Sequence, residues 1–172
     1  MNIVNSQQKI TSAVEFGCGF GRMTQVLTEF TSDVVGFERE PLLVAEASEL
    51  IPSVKFIQLD DLSATGVAAE KFDAIITFTF LQHLIDSVVT DVTKEMLRCL
   101  KPGGHVLICE ETDENHTMGD PNNPNKICTI GRSIEKYKRL FAPLSLKHST
   151  KRRIEPGYER ENTGDYMLFG TA

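Results

Sequence analysis

The sequence predicts a doubly wound α/β fold. Its mostly parallel seven-stranded sheet has helices on both faces and an antiparallel last strand. Three observations predict it. Short apolar, β-branched runs alternate with stretches of helical spacing from residue 12 to residue 111, the pattern of a parallel sheet with crossover helices. One run, "FDAIITFTF" at 72–80, is apolar almost throughout, as a central parallel strand covered on both faces must be. The last two strand-like runs, "LSLKHSTKRRI" and "DYMLFGTA", have no helix between them and therefore pair antiparallel.

Each element follows in order. "SAVEF" is a short apolar strand that runs into three glycines. "RMTQVLTEF" comes next, with Met23, Val26, Leu27 and Phe30 on one predicted helix face. "DVVGFE" is a second buried strand. Glu40-Pro41 starts a helix, because proline is tolerated at the first helical position. That helix runs through "LLVAEASELI" to Pro52, and "VKFIQL" is a third strand ending at Asp60. "SATGVAAEK" is short for a crossover helix and holds a turn or two at most. After the central strand, "SVVTDVTKEMLRCL" carries Val89, Val92, Met96 and Leu100 at near-helical spacing, and "KPGG" stops it. "HVLICEE" is a fifth strand. "ENHTMGDPNNPNK", Glu114 to Lys126, is polar and rich in Asn, Asp and Pro, so it is a loop. "SIEKYKRLFAPL" is the last helix. Repeats and domain boundaries are absent, so residues 1–172 read as a single domain with a short segment before the first strand.

Composition narrows the function. A net charge of −6 argues against a broad surface for nucleic acid or an anionic membrane. The basic run "KHSTKRR" at 147–153 reads as a solvated strand face. Cys18, Cys99, Cys109 and Cys128 lack paired metal-ligand spacing and read as reduced thiols of a cytoplasmic protein; no metal is assigned. No apolar run approaches the roughly 18 residues of a membrane span, and the N-terminus lacks the pattern of a signal peptide.

The stretch "VEFGCGFGR" carries the chemistry. Gly17, Gly19 and Gly21 lie directly after a strand and before a helix, where glycine lets a backbone approach a ligand closely. The spacing is G-x-G-x-G, one residue tighter than the dinucleotide fingerprint G-x-G-x-x-G. Glu38 ends the second strand 21 residues after Gly17, where a carboxylate can accept from both hydroxyls of a ribose. Asp60 ends the third strand and could accept from an adenine amino group. These strand ends describe a nucleoside with a small zwitterionic tail.

With those residues the chain resembles the class I S-adenosylmethionine-dependent methyltransferases. "EFGCGFGR" looks like their first motif, "VVGFERE" like the segment with the ribose-binding acid, and "FIQLDDL" like the adenine-side segment. "FDAIITFTFLQHL" and "EMLRCLKPGGHVLI" resemble the segments around their fourth and fifth strands. The resemblance implies a Rossmann-like fold with S-adenosyl-L-methionine as cofactor. Backbone at Gly17, Cys18, Gly19 and Gly21 would line its methionine and ribose parts. Glu15 would hold the amino-acid end. Glu38, with Arg39 beside it, would take the ribose, Asp60 or Asp61 the adenine, and Thr77 and Phe78 would complete the methionine pocket. His83, Glu111 and His116 are candidates for orienting the acceptor or taking its proton. They sit in "FLQHL" and in an acidic cluster after the fifth strand that includes Glu110, Asp113, Glu114 and Asp120.

The implied activity is methyl transfer to an O or N nucleophile of a small molecule or peptide. Such folds carry a helix before the first strand, whereas here about a dozen residues precede it. A homodimer or partner chain that covers an open cofactor site is therefore expected. Two rival readings are a catalytically inactive methyltransferase-like binding subunit and a nicotinamide-dependent oxidoreductase, the second opposed by the glycine spacing.

Overall fold

The structure is a computed structural model and describes residues 9–120, 128–152 and 164–171. A seven-stranded sheet runs in the order β3-β2-β1-β4-β5-β9-β8. Its strands are β1 Ala13–Phe16, β2 Val34–Glu38, β3 Lys55–Gln58, β4 Phe72–Phe78, β5 Leu100–Glu111, β8 Ser145–Lys151 and β9 Gly164–Gly170. β9 is antiparallel to both neighbours and the other pairings are parallel, as the sequence predicts. Arg153 and Ile154, predicted to continue β8, lie outside the described residues, as do Met1–Gln8 of the segment before β1.

Four helices, α1 Arg22–Leu27, α2 Pro41–Leu50, α3 Asp86–Cys99 and α4 Ile134–Leu140, flank the sheet. The larger core lies on one face. Val14, Phe16, Phe37, Ile75, Val106, Ile108 and Phe169 pack there against Val89, Val92 and Met96 of α3 and Tyr137 of α4. On the other face, Ala13, Val34, Ala74 and Ile76 meet Leu27 of α1 with Ile51 and Val54 after α2. Each fully buried side chain of this kind contributes about 1.5–3 kcal/mol. Among the described residues, no helix is long and apolar enough to cross a membrane.

Four local expectations need correction. The buried residues of α1 are Thr24 and Leu27, whereas Val26 and Phe30 are exposed. The helix ends at Leu27, so Phe30 falls beyond it, and the buried Glu15 carboxylate draws the Thr24 hydroxyl inward. Residues 61–71 form turns without a helix. Charged groups of α3 tie that connection down instead: Glu95 accepts from the Thr65 N–H at 3.0 Å, and Arg98 Nη2 donates to the Val67 carbonyl at 2.7 Å. β5 begins at Leu100, because its register with β4 shifts between Phe72 and Ala74 and takes in the KPGG turn. Within the predicted loop, β6 Thr117–Met118 pairs antiparallel with β7 Thr129–Ile130, and residues 121–127 lie outside the described set.

Candidate functional site

The glycine turn leaves β1 at the carboxyl end of the parallel strands, the edge where open α/β sheets place ligands. The N–H groups of Gly17 and Cys18 both donate to the Phe37 carbonyl, at 2.8 and 3.0 Å, which locks the turn against β2. Gly17 and Gly19 have φ of 69° and 54°, a region that other residues enter at a cost. A Cβ on Gly19 would point into open space, whereas one on Gly17 would lie 2.3 Å from the Phe80 ring. Gly19 therefore offers bare backbone to a ligand, and Phe80 forms the wall above Gly17.

Glu38 reaches across from the end of β2. Its Oε2 accepts from the Gly19 N–H at 2.9 Å, and its Oε1 accepts from the Arg39 and Glu40 N–H groups at 2.7 and 3.0 Å. Three backbone donors thus hold the half-buried carboxylate over the turn. At the end of β3, Gln58 Nε2 bridges Asp60 Oδ1 at 2.8 Å and the Arg39 carbonyl at 3.3 Å, joining the β2 and β3 ends. Asp61 is committed to its own turn: it accepts from the Ser63 N–H and hydroxyl at 2.8 and 2.6 Å, which holds its carboxyl below the ordinary range. Of the two acids, Asp60 is the better placed for a ligand.

Beneath the turn, Glu15 is buried and bonded to the Thr24 hydroxyl. Burial pushes its carboxyl up to about 7, against the opposing pull of Thr24 and Arg22. The Cys18 thiol is pushed well above its ordinary value, first by burial and then by the charges of Glu15 and Glu38. It is a filler in the turn, since a nucleophile would need a stabilised thiolate.

The fourth strand end divides its side chains between the sheet faces. Thr77 turns into the core and donates to Glu110 at 2.7 Å. Phe78 turns the other way, beneath the Arg22 guanidinium at 5.3 Å from its ring centroid. Past β4, Thr79 has φ of 50°, and Leu81–His83 form a single 3₁₀ turn. His83 Nδ1 lies 2.6 Å from the Cys128 carbonyl. Since a carbonyl only accepts, Nδ1 carries the proton and the ring is tied to the segment before β7. Glu111 accepts from the Asp113 N–H at 2.8 Å, and its other oxygen stands 3.6 Å from His116 Nδ1.

The model for methyltransferase domains matches residues 14–108, more than half of the chain. The chain belongs to the class I S-adenosylmethionine-dependent methyltransferase family. It is 31% identical over 104 residues to 2-methyl-6-phytyl-1,4-hydroquinone methyltransferase of Synechocystis, a match covering 58% of this chain and 32% of that one. It is 31% identical over 166 residues to trans-aconitate 2-methyltransferase of Acidovorax sp. strain JS42, covering 85% and 63%. The chain thus spans less than two thirds of the length of either relative. Among solved structures, the N-methyltransferase NodS of Bradyrhizobium japonicum, in complex with S-adenosyl-L-homocysteine, superposes with a TM-score of 0.74. That alignment has 16% identity and covers 98% of this chain and 82% of NodS, so the likeness is one of fold.

For this methyltransferase-family chain, motif reading missed the groups that hold the turn after β4. Glu110 is fully buried and accepts from Thr77, from the Phe80 N–H at 3.2 Å and from the Gln82 N–H at 3.0 Å. Burial raises its carboxyl and these donors pull it back. The Gln82 side chain accepts from the Glu111 N–H at 2.9 Å. Arg132, 1% exposed, donates to the Leu81 carbonyl at 3.0 Å and to the Leu84 carbonyl, and pairs with Asp86 at 3.0 Å. Glu110 stands out in the sequence as an acid inside an apolar strand. Arg132 carries no such signal, because its partners are distant carbonyls.

Proposed function

We propose that the protein binds S-adenosyl-L-methionine at the ends of β1 to β4. There it transfers the methyl group by in-line displacement to an O or N nucleophile of a small molecule or peptide. The observation that carries this reading is the Glu38 carboxylate, held over the open face of Gly19 by three backbone donors. Two acceptor oxygens at a strand end suit a vicinal ribose diol. Asp60 takes the adenine amino group. Glu15 favours an ammonium group below the turn once it ionises, and backbone at Thr77 and Phe78 with the Phe80 ring encloses the methionine part.

The cofactor supplies a sulfonium-activated methyl group when bound. The chain's own residues bring the acceptor into line and exclude water. His116, with Nδ1 3.6 Å from a Glu111 oxygen, would accept the proton of a protonated nucleophile. With Nδ1 committed to the Cys128 carbonyl, His83 keeps only Nε2 for an acceptor, beside Gln82 Nε2 at 3.5 Å. Phe20, Val26 and Phe30 around α1 are 40–60% exposed. That apolar surface favours a second copy or partner chain covering the site.

Calorimetry with S-adenosyl-L-methionine, S-adenosyl-L-homocysteine and nicotinamide dinucleotides tests the cofactor. The adenosyl compounds should bind, and tighter binding of a dinucleotide would overturn the reading. Turnover of a labelled methyl group separates an enzyme from an inactive binding subunit.

A further inference from the structure

The turn after β4 faces two ways. On one side, the Phe80 ring forms the wall above Gly17. On the other, His83 reaches the chain that leads into β7. One 3₁₀ turn joins the two residues, and in it the His83 N–H donates to the Phe80 carbonyl at 3.0 Å. The His83 Nδ1–H donates to the Cys128 carbonyl at 2.6 Å. The Cys128 thiol in turn lies 3.8 Å from the His83 carbonyl. The two residues therefore meet twice, each by its side chain on the backbone of the other.

Cys128 directly precedes β7, and His116 directly precedes β6. Backbone bonds close the neck of this ribbon. The Gly131 N–H donates to the His116 carbonyl and the His116 N–H to the Asp113 carbonyl, both at 2.9 Å. The neck is tight enough that a Cβ on Gly131 would lie 1.7 Å from the Asp113 carbonyl oxygen. Whatever fixes the ribbon thus also fixes His116. The ribbon follows β5, which lies next to β4 in the sheet, so it rises beside the Phe80 wall.

The turn between them is held from below. Glu110 accepts from the Phe80 and Gln82 N–H groups, and Arg132 donates to the Leu81 and Leu84 carbonyls. Thr79 enters it with φ of 50°, so the turn keeps this shape only while those bonds hold. A ligand packed against Phe80 favours the formed turn, and the formed turn presents His83 to Cys128. One element biased from both sides is the physical basis of coupling.

We infer that His83 is a positioning residue: it transmits cofactor occupation at Phe80 to the β6–β7 ribbon and so sets His116 at the acceptor side. This rests on the proposed cofactor reading and names how the cofactor regulates the acceptor half of that site.

Amide exchange of the full chain, read residue by residue by NMR with and without saturating S-adenosyl-L-homocysteine, tests the coupling. The Gly131 and His116 N–H groups report the ribbon. The Lys71 N–H, bonded to the Cys99 carbonyl at 2.9 Å just before β4, reports general stabilisation by the ligand. In the unaltered protein the ligand should slow the ribbon amides roughly fivefold more than Lys71. His83→Leu loses the donor and should abolish this extra slowing, with saturation of the variant checked by calorimetry. His83→Asn should restore it, because its Nδ2–H takes the place of Nδ1–H. A merely structural tether would speed ribbon exchange in His83→Leu equally with and without ligand, and that outcome overturns the inference. So does an unaltered protein without extra slowing, or a failure of His83→Asn to restore it. Nitrogen-15 spectra of the imidazole need no variant: the proton should sit on Nδ1, and a ring protonated on Nε2 alone overturns the bond to Cys128. Should His83→Leu fail to fold by circular dichroism, the ligand effect in the unaltered protein and these spectra decide. If S-adenosyl-L-homocysteine does not bind at all, the cofactor reading fails and the coupling with it. Binding without extra slowing sinks the coupling alone.

Discussion

At the scale of single residues, two carboxylates beside the glycine turn sit in different surroundings. Glu38 is half-buried and accepts from three N–H donors, and in the proposed complex it trades some of that contact for ribose hydroxyls. Charge-assisted bonds contribute roughly 1.5–3 kcal/mol each, so Glu38→Ala should weaken S-adenosyl-L-homocysteine at least tenfold by calorimetry. Unchanged affinity in a folded variant would make Glu38 a brace for the turn only. Glu15 accepts from Thr24, but burial outweighs that pull and raises it from 4.5 to about 7. Between those values the folded protein keeps a proton that the unfolded chain has released, so stability falls as pH rises through the window. Above about pH 7 the penalty is complete, on the order of 3 kcal/mol. Glu15→Gln should therefore raise Tm near pH 8 and change it little near pH 4.5. Equal shifts at both values would mean that Glu15 is not held neutral by its burial. A bound ammonium group would favour the ionised form, so cofactor affinity should tighten as pH rises through about 7.

At the scale of elements, the turn after β4 is the most constrained part of the site. Thr79 occupies a left-handed conformation that costs a non-glycine residue on the order of 1 kcal/mol or more. Glu110 holds its N–H groups from one side, and Arg132 holds its carbonyls from the other. Arg132→Met keeps the apolar stem and leaves buried carbonyls without donors. A loss of about 3 kcal/mol or more is expected, a Tm decrease of roughly 6–12 °C. A decrease under about 2 °C would show that water or Lys136 replaces the guanidinium. Glu110→Gln should act differently. Whichever oxygen it replaces, its amide N–H₂ faces a backbone N–H that only donates, that of Phe80 or that of Gln82, so the turn shifts and methyl transfer falls more than cofactor affinity does. These clamps explain what was legible in the sequence. The strands and the Gly-x-Gly-x-Gly turn follow from local periodicity and glycine chemistry. Arg132 was silent because its role depends on carbonyls about 50 residues away, and the direction of α1 because Thr24 answers to Glu15 instead of to the apolar spacing.

At the scale of the whole molecule, the sheet order puts the ends of β3, β2, β1 and β4 side by side, so residues far apart in sequence share the edge at which the cofactor is proposed to bind. The ends of β5, β9 and β8 extend that edge in the other direction, where Tyr166 and Arg152 stand. The antiparallel β9 matters here. Its beginning, not its end, lies at the ligand edge, which is why "DYMLFGTA" contributes Tyr166 so near its start. Binding across the first four strands couples to global stability, because a ligand that recognises only the folded edge stabilises the fold by mass action. At one hundred times its dissociation constant, S-adenosyl-L-homocysteine should add about 2.7 kcal/mol. For a chain of 172 residues that is a Tm increase of roughly 5–10 °C. Glu38→Ala should lose most of the increase at the same ligand concentration, because it removes contact to the nucleoside. A nicotinamide dinucleotide at equal concentration should leave Tm unchanged. An equal increase with the dinucleotide would mean that the tighter glycine spacing does not select against a pyrophosphate.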